Sequence, residues 1–267
     1  MLYFNKDIIN KFKNTDDNTW YVVTDFDRTL TMGISKSSWG VLSSDTFGCN
    51  DYIKERDDLD SYYRPLEISD KLDDVKKAKY MEDWWNKNIE LIIKYKLSED
   101  VIKNAIKDVN IMKFRDGAIS MLKSFHKRNI PVIIFSAGIG NFIELFLKLH
   151  GCYYENIYVI SNFIKFENGL AIGLENNVIH SLNKNENLLP KDILKRINKR
   201  ENILLMGDHS GDVKMVNDIK REKAFKIGFL EENVNGNMEL YRNIFDLVCT
   251  DETSFSTIND VIGFLIK

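Results

Sequence analysis

The apolar positions of the chain change their spacing along its length, and the elements follow from that. Phe4, Ile8 and Phe12 recur every four residues, which predicts a short amphipathic helix lying on the core. Trp20-Tyr-Val-Val23 is an unbroken run of aromatic and β-branched residues, the pattern of a strand buried on both faces of a parallel sheet. From Met32 to about Pro65 no period is sustained. Gly33, Gly40, Gly48 and the charged run Lys54 to Asp60 predict a long irregular stretch, of the kind that is functional or carries structure of its own. Ser69 to Leu97 returns to helical spacing, with Tyr80, Trp84, Leu91 and Tyr95 on one stripe and Met81, Trp85 and Ile92 beside it. A stripe that broad is buried on more than one side. Ser98 is a suitable N-cap for a further helix to about Asp108.

From Pro131 the pattern is α/β. Pro131-Val-Ile-Ile-Phe135 reads as a strand ending at Ser136-Ala-Gly-Ile-Gly140, which opens a helix through Asn141 to Leu149. Tyr158 to Ser161 is a strand, and Phe163 to Leu174 is a hairpin turning at Asn168-Gly169. Asn202 to Met206 is another buried strand and leads into Gly207-Asp-His-Ser-Gly-Asp212. Phe225 to Gly228 and Leu247 to Cys249 are shorter strands, and a last helix carries Phe255, Ile258, Ile262 and Leu265 inward. Strands alternating with helices predict the α/β class, a mostly parallel sheet covered on both faces. The helices between the first strand and Pro131 form an insertion.

Composition narrows the partners. With 267 residues the chain can bury one large core, or a core with an insertion. Its 37 basic and 40 acidic residues give a net charge of −3, which provides no basic field for nucleic acid or an anionic membrane. Cys49, Cys152 and Cys249 are scattered, without zinc spacing or a disulfide framework, and suit a reducing compartment. The N-terminus lacks the build of a signal peptide, and no apolar run approaches membrane-spanning length. The expectation is a cytoplasmic protein that handles a small molecule, with a monomer favoured.

The candidate chemistry sits at strand ends. In an open parallel sheet those carboxyl ends share one edge, where ligands bind. Asp25 and Asp27, two apart in an extended chain, face the same side. At about 4 Å and an effective dielectric of about 20 their repulsion is roughly 4 kcal/mol, so a proton or a metal must offset it. Oxygen-only ligands suit Mg²⁺. A calcium loop is excluded, because the twelfth position counted from Asp25 is Lys36 rather than Glu. The plain alternative for Asp25-Phe-Asp27-x-Thr29 is a polar loop whose Asp and Thr cap a turn. Against it, the same edge should also carry Ser136, Lys184, Asp208 and Asp212. These residue types fit phosphoryl transfer. A carboxylate can attack phosphorus, and cations offset the charge. Hydroxyl and backbone N–H groups hold the equatorial oxygens, and a second acid moves the proton. His180 reads as a packing or orienting residue, His209 as near the substrate without binding metal, and Cys152 and Cys249 as buried thiols.

Taken in order, Asp25-Phe-Asp27-x-Thr29, Phe135-Ser136-Ala-Gly, Lys184 and Gly207-Asp208-x-x-x-Asp212 resemble the four motifs of the haloacid dehalogenase (HAD) phosphohydrolase superfamily. Pro65-Leu-Glu67, Met81-x-x-Trp-Trp85, Ser136-Ala-Gly-Ile-Gly140, Val159-Ile-Ser-Asn-Phe163, Ile179-His-x-x-Asn-Lys184, Ile227-Gly-Phe-Leu230 and Asp251-Glu252 further resemble the cytosolic type III, pyrimidine-specific 5'-nucleotidases. The resemblance implies a Rossmann-like three-layer core at 1–31 and 113–267 and a helical cap at 32–112. It implies Mg²⁺-dependent hydrolysis of pyrimidine nucleoside 5'-monophosphates through an aspartyl-phosphate. Asp25 is then nucleophile and metal ligand; Asp27 is general acid/base and offers its carbonyl to the metal. Asp208 binds metal, Asp212 and Thr29 support the site, and Ser136, Ala137 and Lys184 hold the phosphoryl group. Glu67 and Asn88 would contact the nucleoside, Asn88 standing where the family usually has a serine. Arg28 replaces a residue that is usually apolar, and Ile34 to Tyr63 matches poorly, leaving Trp39, Phe47, Tyr62 and Trp84 as candidates to stack on the base. The rivals are a HAD phosphatase for another small phosphomonoester and an inactive nucleotide-binding relative.

Overall fold

Six of the apolar runs lie side by side as a parallel sheet. The computed structural model describes residues 2–4, 10–69, 71–108, 111–250 and 255–267. Its strands are β1 (Leu2–Phe4), β2 (Trp20–Thr24), β3 (Val132–Ile139), β4 (Ile157–Asn162), β5 (Ile164–Glu167), β6 (Leu170–Leu174), β7 (Asn202–Gly207), β8 (Ala224–Leu230) and β9 (Leu247–Thr250). Seven of them form one sheet in the order β1-β9-β8-β7-β2-β3-β4. Only β1 is antiparallel, against β9. β5 and β6 form the separate hairpin, with Asn168 and Gly169 both at positive φ (50° and 77°), as the Asn-Gly turn requires.

The longer helices are α1 (Asn50–Glu67), α2 (Asp74–Lys94), α3 (Glu99–Ala105), α4 (Ala118–Lys127), α5 (Gly140–Leu149), α6 (Lys191–Ile197), α7 (Val234–Ile244) and α8 (Phe255–Leu265). Strand residues alternate between the two faces of the sheet, and two cores result. Val22, Ile134 and Leu204 face Leu122 of α4, Phe142 of α5 and Ile258 of α8. Val23, Ile133 and Leu205 face Ile193 of α6 and Tyr241 of α7. Each fully buried large apolar side chain contributes roughly 1.5–3 kcal/mol, so β2, buried at all five positions, is the best anchored strand. This is the three-layer α/β fold expected. Helices α1 to α3 come from the chain between β2 and β3, and Tyr63, Met81 and Trp84 make a small core of their own there. Among the described residues no helix is long and apolar enough to cross a membrane.

Three expectations change. The stretch read as irregular up to Pro65 contains the 18-residue helix α1, in which Pro65 lies within the last turn. Only Tyr52, Tyr63 and Glu67 of α1 are buried, so its apolar stripe is too sparse to register as a period, and Lys54 to Asp60 is largely its solvated side. Helix α2 starts at Asp74 rather than Ser69, because the Asp73 carboxylate accepts from the Lys76 N–H and caps it there. At the N-terminus, Phe4 belongs to β1 and Phe12 to a helical turn at 10–12, while Ile8 lies outside the described residues. Asp251 and Glu252 lie outside them as well.

Candidate active site

The sheet fixes the first carboxylate. The backbone N–H of Asp25 still donates to the Met206 carbonyl (3.0 Å), so Asp25 leaves β2 with its main chain held by β7. β7 itself ends at Gly207, and Asp208 follows. A Cβ on Gly207 would stand 2.4 Å from the Asp212 carboxylate, so only glycine lets that loop fold back. Asp212 Oδ2 accepts from the His209 N–H (3.0 Å), and His209 Nδ1 accepts from the Gly211 N–H (3.0 Å), a reciprocal cap that fixes the turn. Lys184 reaches in from the loop after Val178-Ile-His180. Its Nζ donates to Asp25 Oδ1 (2.6 Å) and Asp212 Oδ1 (3.0 Å).

Carboxylate oxygens of Asp25, Asp208 and Asp212 lie within 4.8 Å of one another. Three carboxylates against one ammonium leave an excess of two negative charges when all are ionised. Burial is the main reason that the Asp25 carboxyl is pushed up to about 7; Lys184 opposes this and Asp212 adds to it. Asp208 is raised well above the carboxylate range by burial, then by Asp25 and Asp212. For Lys184 burial disfavours the charge, but Asp212 and Asp25 outweigh it and raise the amine above its usual value. A hard, oxygen-only donor set with two uncompensated charges fits a divalent cation. The Asp27 carboxylate is turned the other way. It accepts from Ser38 Oγ (2.7 Å) and the Ser38 N–H (2.9 Å), and burial raises it against those two bonds.

The register of β3 on β4 shifts between Phe135 and Ile139, so a bulge falls on Ser136-Ala-Gly138. Bulges beside sites re-aim side chains. Here Ser136 Oγ accepts from the Gly138 N–H (3.0 Å), and Ser161 Oγ donates to the Gly138 carbonyl (2.8 Å). A Cβ on Gly138 would come within 1.9 Å of Ser38 Oγ, so the close approach requires glycine. Arg28, at φ 59°, turns the chain after the acids. The buried Arg115 clamps this turn, donating to the carbonyls of Thr29 (3.2 Å) and Arg28 (2.7 Å) and pairing with Glu231 (2.7 Å). Thr29 Oγ1 is buried with no hydrogen-bond partner among the described residues. Threonine here acts by filling space.

These groups open into a cleft of about 660 Å³ between the strand ends and helices α1 and α2. Glu67 and Asn88 line it, as expected. Glu67 Oε1 accepts from Ser181 Oγ (2.7 Å) and Oε2 pairs with Arg64 (2.5 Å), while Asn88 Nδ2 donates to the Trp84 carbonyl (3.0 Å). Of the four aromatic candidates, Trp39 and Trp84 line the cleft. Phe47 instead packs edge-on against Tyr52, and Tyr62 is 61% exposed on the outer side. Trp85, read as part of a packing stripe, also faces the cleft. His180 is buried, accepts from the Leu182 N–H (3.2 Å), and is pushed down to about 4 by that burial, as a packing role requires. Ser38, Arg115 and Trp85 had no signal in the local sequence. Their partners lie between 11 and 116 residues away in the chain (Ser38–Asp27, Arg115–Glu231).

The sheet order and the acid, serine and lysine edge are those of a HAD-fold phosphohydrolase. A substrate-bound phosphoserine phosphatase shares that fold (TM-score 0.59, 18% identity, covering 93% of this chain and 99% of that one). Residues 27–266 match the family described as pyrimidine 5'-nucleotidase (UMPH-1), and the chain belongs to that family. It is thus a phosphoric monoester hydrolase of the 5'-nucleotidase kind. The 7-methylguanosine phosphate-specific 5'-nucleotidase of Drosophila melanogaster is 30% identical over 269 residues, 97% of this chain and 84% of the fly protein. The crystal structure of cytosolic 5'-nucleotidase IIIB bound to cytidine superposes with a TM-score of 0.85 at 28% identity, covering 99% of this chain and 93% of that one.

Proposed function

We propose that the protein is a Mg²⁺-dependent 5'-nucleotidase that hydrolyses pyrimidine nucleoside 5'-monophosphates of the CMP/UMP type through an aspartyl-phosphate on Asp25. The observation that carries this reading is Lys184 bridging Asp25 and Asp212 beside the Ser136 bulge. A carboxylate oxygen of Asp25 attacks phosphorus while the bond to the 5' oxygen breaks, and Asp27 hands its proton to that oxygen. Asp27 then takes a proton from water, which attacks phosphorus; the bond to Asp25 breaks and phosphate leaves. Ser136, the backbone at Ala137 and Lys184 hold the equatorial oxygens. When bound, Mg²⁺ offsets the charge of carboxylates and phosphate; the carboxylates of Asp25 and Asp208 and the carbonyl of Asp27 would hold it. Asp212 supports the site through Lys184.

Residues 32–112 act as the cap in this reading, and 1–31 with 113–267 as the catalytic core. The separate packing of Tyr63, Met81 and Trp84 and the position of the cleft support that division. A cytoplasmic location is supported by free Cys49, Cys152 and Cys249 and by the word cytosolic in the structural relative's name.

Ser38 orders the proton carrier. Losing a hydrogen bond to a charged group costs about 1.5–3 kcal/mol, so Ser38→Ala should lower kcat roughly 10- to 100-fold with KM little changed. Steady-state kinetics check this, and an unchanged kcat would remove Ser38 from the mechanism.

A second reading, 7-methylguanosine 5'-monophosphate, is favoured by one observation. Trp39, Trp84 and Trp85 line the cleft with Asp60 and Glu67, and a cationic methylated base is drawn to indole faces and carboxylates. Phosphate release from CMP, UMP, that nucleotide, phosphoserine and a small aryl phosphate separates the readings. Glu67→Ala should lower kcat/KM for the preferred nucleotide more than about tenfold and leave the aryl phosphate nearly unaffected. Equal losses on both would make Glu67 structural. No release from any nucleotide would overturn the function itself.

A further inference from the structure

One carbonyl in the cleft receives three donors. Ala137 O accepts from Trp39 Nε1 (3.0 Å), Trp85 Nε1 (3.1 Å) and Asn162 Nδ2 (2.8 Å). Carbonyl oxygens carry two lone pairs, so this one is saturated, and both indoles give up their single N–H to it. Asn162 belongs to the sheet and is itself locked by both backbone groups of Ile179 (2.8 Å each). Trp39 and Trp85 come from the chain between β2 and β3.

The amide that contains this carbonyl ends in the Gly138 N–H, which donates to Ser136 Oγ (3.0 Å). Donors on the oxygen of an amide polarise it and strengthen its N–H as a donor. A hydroxyl that accepts on one side is left to donate on another, so the Ser136 proton is free to point into the cleft. We propose that Trp85, together with Trp39, is a positioning residue that sets Ser136 through the Ala137–Gly138 peptide. The phosphoryl-binding hydroxyl is then fully ordered only while α2 lies against the strand ends. This rests on the reading of Ser136 as a phosphoryl ligand and of residues 32–112 as the cap. It differs from base stacking, for which an indole ring suffices and its N–H is irrelevant.

Trp85→Phe keeps an aromatic ring and removes the N–H. The expected result is a fall in kcat of about five- to tenfold, the weight of one hydrogen bond. The loss should be the same for the preferred nucleotide and for a small aryl phosphate that has no base, with KM for the nucleotide within about twofold. Ser136→Ala should abolish the effect, so that the double variant is no worse than Ser136→Ala alone. In ¹⁵N-labelled protein the Gly138 amide resonance should move upfield in Trp85→Phe, a readout that needs no turnover. A loss confined to nucleotide KM, with aryl phosphate unaffected, would overturn the proposal in favour of stacking. An unmoved Gly138 resonance, or additive losses with Ser136→Ala, would overturn it too. An inactive wild-type enzyme would count against the hydrolase reading instead, and the Gly138 resonance would still decide whether the indole acts on this peptide.

Discussion

Asp25→Asn abolishes phosphate release, by at least about 10⁴-fold, and leaves the fold intact. The loss follows from chemistry: an amide cannot donate an oxygen lone pair to phosphorus and leave again as carboxylate, and removing a covalent nucleophile elsewhere costs factors of this order. The intact fold follows from the site. Breaking a buried ion pair ordinarily costs several kcal/mol because a charge is left alone. Here Lys184 keeps Asp212 at 3.0 Å, and the amide removes one of three crowded carboxylates. The metal-free variant should therefore melt no lower than wild type. It should also change the pH dependence. In the metal-free wild type the Asp25 carboxyl, near 4 when unfolded, is raised to about 7. Its contribution to stability is thus fully present below about pH 4 and is lost as the pH rises through about 7. Thermal melts in EDTA between pH 5 and 8 should show this decline in wild type and a flatter curve in Asp25→Asn. An active Asn variant would end the covalent route.

Lys184→Met has the second large effect, and in it activity and stability fall together. Methionine fills similar space but leaves Asp25 and Asp212 buried without their shared cation, only 5% and 1% exposed. The penalty for stranding buried charge is about 3–5 kcal/mol. The variant should melt well below wild type in EDTA near neutral pH, and recover part of the loss on lowering the pH or adding Mg²⁺, since either neutralises the same carboxylates. Turnover should fall at least about 10³-fold even when Mg²⁺ saturates, because the equatorial oxygens lose a cationic partner. A melt indistinguishable from wild type would mean that the lysine does not hold the acids together.

The parts of this protein that could be read from the chain are those whose cause is local. Val22, Val23, Ile133, Ile134, Leu204 and Leu205 belong to continuous apolar runs because a central parallel strand is covered on both faces, and the acids stand where those runs stop. Asn168-Gly169 fixes its own turn. Helix α1 was hidden because only three of its eighteen residues are buried. Ser38 was hidden for another reason. It is an ordinary loop serine until the chain brings it to Asp27 on one side and to the Ile139 N–H (3.2 Å) on the other. The tryptophans were misjudged in part because a stripe on a helix shows which face is covered, not by what. Trp84 does pack, stacked on Tyr63, while its neighbour Trp85 points to a carbonyl of the sheet.

The hairpin β5–β6 has a mechanical consequence. Main-chain bonds join its tip to the start of α3, from Ala171 N–H to the Leu97 carbonyl (2.8 Å) and from Glu99 N–H to the Gly169 carbonyl (3.0 Å). At the opposite end the same helical lobe meets the sheet through side chains, among them Glu67 with Ser181 and Asp74 with Lys214. Backbone ties resist sliding, whereas polar side chains can trade partners with water at little cost. The lobe is therefore riveted at one end and merely clasped at the other, so it yields like a jaw, widest where a nucleotide would enter.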